Sequence, residues 1–332
     1  MPAVNLQWTA VHRSGGGAVV ATVGAGHLWV AYAHGATPPA SEGDQTAANS
    51  GGELVGYDPT TGRADITATI GAFPSAIAAS SSGVWVANGV GDGYAVKPAL
   101  VDTVEQFTAA GKLVATTHVE DPLALTASGA QAWVYYSSGQ QQPRVRLLTA
   151  PPPGESSTVQ PSPDEVLPGQ LASAADPLTY CGGEVFAVSA ESATSTVSLT
   201  QIAATSGTIA TVDADFSHPS LICPATGKPL LLLPGLPTVL LSAATGYTAL
   251  QLSAGPAALA RAGGGHVWLI DNNLGTVSVT DINDAGQARS ETLTMPSRTT
   301  PVFTADQSGL WILVPTIDTN STTLQASHVA LP

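Results

Sequence analysis

The chain holds 332 residues, only 10% of them charged, and its 24 Asp and Glu outnumber its 10 Lys and Arg for a formal net charge of −14. That balance excludes nucleic acid and anionic membrane surfaces as partners, because counterion release and electrostatic steering would both oppose binding; neutral or cationic partners suit it better. Ala, Gly, Thr, Ser and Pro take the places that charged residues hold in an average soluble domain, a habit common among exported bacterial proteins.

In chain order, the first predicted element is an orphan strand at Val4-Asn-Leu-Gln-Trp-Thr-Ala10. A Trp-centred phrase then recurs: His27-Leu-Trp-Val-Ala-Tyr32, Gly83-Val-Trp-Val-Ala-Asn88, Gln131-Ala-Trp-Val-Tyr-Tyr136, Glu184-Val-Phe-Ala-Val-Ser189, His266-Val-Trp-Leu-Ile-Asp271 and Gly309-Leu-Trp-Ile-Leu-Val314. Lys228-Pro-Leu-Leu-Leu-Leu-Pro234 fills the same place in a fifth unit without an aromatic. Self-similarity at roughly 40 to 50 residues marks units too small to bury their apolar faces without neighbours. The expected fold is all-β, a seven-bladed β-propeller of four-stranded antiparallel blades. It is read as one domain over residues 1–332, with blades starting near 18, 74, 122, 177, 219, 256 and 301.

Pro74, Pro122, Pro177, Pro219, Pro256 and Pro301 open most units, at a first strand position where no ladder hydrogen bond is lost. The outer half of each unit reads as a hairpin, as in Leu54-Val-Gly-Tyr-Asp-Pro-Thr-Thr-Gly62 and Val104-Glu-Gln-Phe-Thr-Ala-Ala-Gly111, whose glycines supply positive φ. Asp281-Ile-Asn-Asp-Ala-Gly286 looks superficially like a calcium loop, but it lacks the closing Glu and reads as another such hairpin. The Pro-rich segment from Pro151 and the stretch Pro161 to Gln170 read as rim insertions of the third unit. The last unit, from Pro301 to Leu331, has only three strands, so the N-terminal strand is expected to pair into it, hide its edge and place Trp8 in the last blade. The six Trp read as core; burying one removes about 200 Å² from water, roughly 5 kcal/mol before entropic costs.

Cys181 and Cys223 each stand four residues after a unit-opening Pro, at a place held elsewhere by Ala78, Thr126, Ala260 and Ala305. Equivalent sites on adjacent inner strands could approach for a disulfide, or the two could be buried free thiols. A bridge would favour an oxidising compartment. No metal is expected, since neither a C-x-x-C pair nor a nearby His supports zinc, and His27 and His266 belong to inner turns on the opposite face from the loops.

That loop-bearing face, where the links between blades meet the loops after the Trp strands, is the expected binding surface, with Tyr32, His34, Asn88, Tyr135, Tyr136, His218, Asp271, Asn272 and Arg298 as candidate ligand-binding residues. Asp121 and Asp176 lie in links on the same face. Aromatic and amide groups there suit neutral polar ligands such as sugars or peptides, although Asp and Asn also cap turns. The first two loops, Ala33 to Gly52 and Gly89 to Val101, are long and polar, and long loops on a scaffold are where function concentrates. No catalytic residue is assigned and no cofactor is expected: a nucleophile elbow, a phosphate loop and paired carboxylates at catalytic spacing are all missing.

Gly83-Val-Trp-Val-Ala-Asn88, preceded by Pro74-Ser-Ala-Ile-Ala and by the Tyr57-Asp-Pro-Thr-Thr-Gly62 hairpin, resembles the YVTN and NHL-like propeller superfamily, and within it streptogramin-lyase-like repeats. The resemblance spans nearly the whole chain and implies a propeller; members include exported sensor domains, ectodomains of membrane kinases, lipoproteins and a few enzymes. The lyases carry a Gly-Pro-His phrase with a second His and a Glu around magnesium. This chain departs from that pattern, because Gly255-Pro256 is followed by Ala257 and His218 precedes Pro219. The expectation is an exported, monomeric recognition or sensor propeller binding a protein, peptide or polysaccharide. No apolar run of about 18 residues is present to insert into a membrane, and an anchor or signal peptide is expected to have been removed from an extracytoplasmic protein. The alternatives are a metal-assisted lyase or hydrolase using His34, His218 and Asp271, and a purely structural or assembly propeller.

Overall fold

A computed structural model of the chain describes residues 4–12, 19–33, 51–89, 101–137, 142–151, 160–171, 176–191, 196–202, 207–213, 219–224, 228–233, 238–243, 246–251, 259–263, 266–273, 276–283, 288–294, 301–318 and 321–330. Among these residues every regular element is a β-strand, and the strands pair into seven antiparallel sheets.

Blade one runs outward through Val19–Gly24, His27–Tyr32, Gly52–Tyr57 and Ala64–Ile70, and blade two through Pro74–Ser80, Gly83–Asn88, Thr103–Thr108 and Leu113–His118. Blade three has Pro122–Ser128, Gln131–Ser137 and Pro143–Thr149; two short segments, Gln160–Pro161 and Glu165–Val166, pair with its third strand where a fourth would lie. Blade four comprises Leu178–Cys181, Glu184–Glu191, Thr196–Ile202 and Gly207–Asp213, and blade five Ser220–Ile222, Leu230–Leu232, Thr238–Ala243 and Gly246–Gln251. Blade six comprises Leu259–Gly263, His266–Asn273, Thr276–Asn283 and Ala288–Thr294. In blade seven Val302–Asp306, Gly309–Asp318 and Ser321–Ala330 are joined on the outside by the N-terminal strand Val4–His12, which pairs antiparallel with Ser321–Ala330.

The innermost strand of each blade touches those of its two neighbours in chain order, and the innermost strand of blade seven touches that of blade one. A sheet in this arrangement is buried on both faces, which is why the Trp strands are apolar at nearly every position instead of alternating. The buried residues fall into seven clusters, each drawn from the facing surfaces of two adjacent blades. Trp29 packs with Val84, Val86 and Phe107 of blade two, Trp85 with Val134 and Tyr136 of blade three, Phe186 with Leu221 and Leu231 of blade five, and Trp268 with Phe303 and Ile312 of blade seven. The recurring aromatic is thus the piece that each of these blades inserts against the next.

Trp8 completes the circuit. It lies with Trp311 and Leu324 of blade seven and Leu28, Val30 and Tyr57 of blade one, its ring centroid 5.2 Å from that of Tyr57 and its Nε1 donating to Pro59 O at 3.1 Å. The ring also rests on Gly62 (φ 68°), where a β-carbon would collide with the indole. The closing strand therefore locks the outer hairpin of blade one as well as the edge of blade seven.

Neighbouring inner strands meet at the last residue before the inner turn. Gly24 holds that place in blade one, and a β-carbon there would come within 2.5 Å of the Ala79 β-carbon. Ser80 holds it in blade two and its hydroxyl donates to Gly129 O at 2.7 Å across the joint with blade three. Cys181 holds it in blade four, bonded to Cys223 of blade five with the α-carbons 5.2 Å apart. The pairing corrects the alignment counted from the prolines. Cys181 is level with Ser80 and Ser128, not with Ala78 and Thr126, because Pro74 and Pro122 start one pair further out than Pro177 and a bulge after each adds a second residue. Nor are the two cysteines equivalent: both pack in the cluster between blades four and five, so one faces forward and the other back. Residues at the same position of a rotating array point the same way and could not meet.

Candidate functional site

The connection after the second strand leaves every blade at the same end, and these connections are very unequal. They span residues 33–51 in blade one and 89–102 in blade two, against 274–275 in blade six and 319–320 in blade seven. The two long connections belong to adjacent blades.

At the strand ends, the described residues do not form the open polar mouth expected. Tyr32 is buried between blades one and seven, with its hydroxyl 2.9 Å from that of Tyr57; burial, with Tyr57 beside it, pushes its phenol well above the usual range. Asn88 is fully buried and donates through Nδ2 to Thr103 Oγ1 (3.2 Å) and Glu105 Oε2 (3.0 Å). The same Glu105 oxygen accepts from Gly71 N at 2.9 Å, tying blade one to blade two. Tyr135 is buried in the cluster between blades three and four and Tyr136 in that between blades two and three. The Tyr136 hydroxyl accepts from Arg146 at 2.9 Å, and Arg146 holds Asp164 with Nε–Oδ1 at 2.6 Å; burial, followed by the hydrogen bond to Asp164, raises the phenol to about 12. Successive side chains of a strand point to opposite faces. In this fold both faces are joints between blades, so these residues serve packing.

Asp271 and Asn272 lie in the second strand of blade six, opposite Ser278 and Val277. His34, His218 and Arg298 lie outside the described residues. His27 and His266 pair with Gly24 and Gly263 at the inner turns and lie against Trp29 and Trp268, at ring-centroid distances of 5.3 and 6.1 Å.

The axis carries a more distinctive arrangement. A channel cavity of about 300 Å³ is lined by the inner strands, and Asp176 and Arg261 form an ion pair inside it. Asp176 precedes the inner strand of blade four and Arg261 lies in that of blade six, so the pair passes over blade five; Asp176 O meanwhile accepts Leu221 N of blade five at 2.9 Å. Arg261 Nε donates to Phe303 O of blade seven at 2.9 Å. Four blades are joined by two side chains and two backbone carbonyls. Opposite the central aromatic stands Thr22 in blade one, Thr126 in blade three, Thr179 in blade four and Thr304 in blade seven; blade six has Arg261 at that register. Apart from the ion pair, the wall is thus neutral, with Thr22, Thr126 and Thr179 bringing hydroxyls to it. Asp176 was visible in the sequence as a link residue, whereas Arg261 was missed. Its one sequence signal is a charge in the inner-strand run Leu259-Ala-Arg-Ala-Gly263, where blades one to four and seven place Thr or Ala.

Among the described residues no group of three or more His, Cys, Asp or Glu is placed to hold a metal ion, so the magnesium set implied by the lyase resemblance finds no counterpart there. The chemistry the described residues offer is paired donors and acceptors in a channel.

No family model matches the chain, and no curated protein matches it. Solved structures do. The β-propeller domain of Cps50 from Myceliophteria thermophila superposes with a TM-score of 0.65 at 12% identity, covering 99% of this chain and 100% of that one. The WD40 domain of Toxoplasma gondii coronin gives a TM-score of 0.53 at 8% identity, over 99% and 88%. Virginiamycin B lyase from Staphylococcus aureus gives 0.50 at 12% identity, over 78% and 95%. Identities this low speak to architecture alone, and with the closed circuit of inner strands they show that the chain has the β-propeller fold.

Proposed function

We propose that this propeller is an extracytoplasmic recognition module that engages a protein, peptide or polysaccharide through the face carrying residues 33–51 and 89–102. The observation that carries this reading is the inequality of those connections: the two long ones are anchored on adjacent blades at the same end of a scaffold whose joints are closed by packed apolar clusters. Segments of that length are costly to retain and, where they persist beside a rigid frame, they usually carry function. The net charge of −14 directs the choice toward neutral or cationic ligands. The Cys181–Cys223 bridge supports an oxidising compartment.

The test replaces residues 34–50 and 90–100 by short Gly-Ser turns and screens the parent and trimmed chains, at matched melting temperature, against a glycan array and a displayed peptide library. Ligands bound by the parent and lost on trimming support the reading. Ligands that bind both chains equally refute it.

A further inference from the structure

We propose that the axial channel is a binding site for a small neutral polyhydroxy compound, such as a monosaccharide or a cyclitol, separate from the loop-bearing face. The fold explains a channel but not its charged lining. Inner strands need only small residues where they converge, and Thr or Ala satisfies the register opposite the aromatic in blades one to four. Arg261 stands there instead, in a chain with only 10 Lys and Arg, and is matched by an acid 85 residues away on the far side of blade five.

The pair ties blade four to blade six, yet its side chains keep 24% and 28% of their surface open, so both groups stay within reach of a ligand in the channel. The pair selects by charge. An anion entering the channel meets Asp176, and a cation meets Arg261. A neutral diol offends neither, since one hydroxyl donates to the carboxylate while its neighbour accepts from the guanidinium and the ion pair stays intact. Thr126 Oγ1 already accepts Tyr180 N at 3.0 Å, which leaves its hydroxyl proton to donate; Thr22 and Thr179 line the same cavity, and Ala78 offers an apolar wall for a ring C–H face. The cavity of about 300 Å³ is at the lower end of ligand pockets and admits a single sugar ring.

Isothermal titration calorimetry of the full chain with D-glucose and with myo-inositol tests this; melting shifts alone would mislead, because sugars at high concentration stabilise proteins by exclusion. A saturable heat with at least one probe is expected, with affinity falling about tenfold or more in Arg261→Thr and in Asp176→Asn, the loss typical of a hydrogen bond to a charged group. Arg261→Thr restores the residue found at this register in four other blades, so its fold should survive, and circular dichroism checks that. The loop-trimmed chain should titrate like the parent, which separates this site from the reading of the loop face. Absence of saturable heat with both probes, affinity unchanged in both variants, or binding of acetate in place of the neutral compounds would each overturn the proposal.

Discussion

Glu105 shows how a single half-buried acid reports on the joint between blades one and two. Burial raises its pKa; the hydrogen bonds from Gly71 N and Asn88 Nδ2 pull the other way, and the net shift is upward. A carboxyl whose folded value exceeds its unfolded one contributes stability that is fully present below the unfolded value, about pH 4.5, and lost as pH rises through the folded value. Glu105→Gln keeps an acceptor oxygen and cannot ionise. The melting temperature of the Gln variant relative to the parent should therefore climb between about pH 4 and pH 7; a difference that stays constant across that range would show that Glu105 ionises as freely in the folded chain as in the unfolded one.

The element that most repays attention is the N-terminal strand Val4–His12. Without it, Ser321–Ala330 would present an unpaired edge, and the Asp58–Gly62 turn of blade one would lose the indole that rests on it. Trp8→Ala removes a large side chain left 7% exposed and should cost about 3 to 5 kcal/mol in chemical denaturation. Removal of residues 1–12 should go further, lowering the melting temperature of the entire chain and promoting association through the bared edge. A shortened chain that melted with the parent would mean that the strand merely decorates blade seven.

At the scale of the molecule, stability is shared among seven joints, and they are not equally endowed. Blade five has three-residue first and second strands and leucines where other blades carry Trp or Phe. Its joint with blade four is the one that carries the disulfide, and closing a loop across 42 residues removes unfolded-state entropy worth about 4 kcal/mol in the chain-entropy model. Cys181→Ala with Cys223→Ala should lower the denaturation free energy by up to that amount, and mass spectrometry after alkylation without reductant should find neither thiol modified. Labelling of both cysteines under those conditions would contradict the bond.

The propeller was legible in the sequence because its cause is local and repeated: five units carry a Trp strand, a sixth has Phe186 and a seventh leucines at that place, and none can bury its faces alone. The orphan strand with Trp8 was legible for the same reason, as the fourth strand missing from the last unit. Only the tertiary structure decided which way side chains point. Tyr32, Asn88, Tyr135 and Tyr136 sit where a strand meets a loop and so read as a polar mouth, but stacking gives every strand two buried faces and turns them inward. Arg261 meets its acid only when the ring brings blades four and six together over blade five. No spacing along the chain encodes that encounter, because it follows from the curvature of the whole ring and not from any one unit.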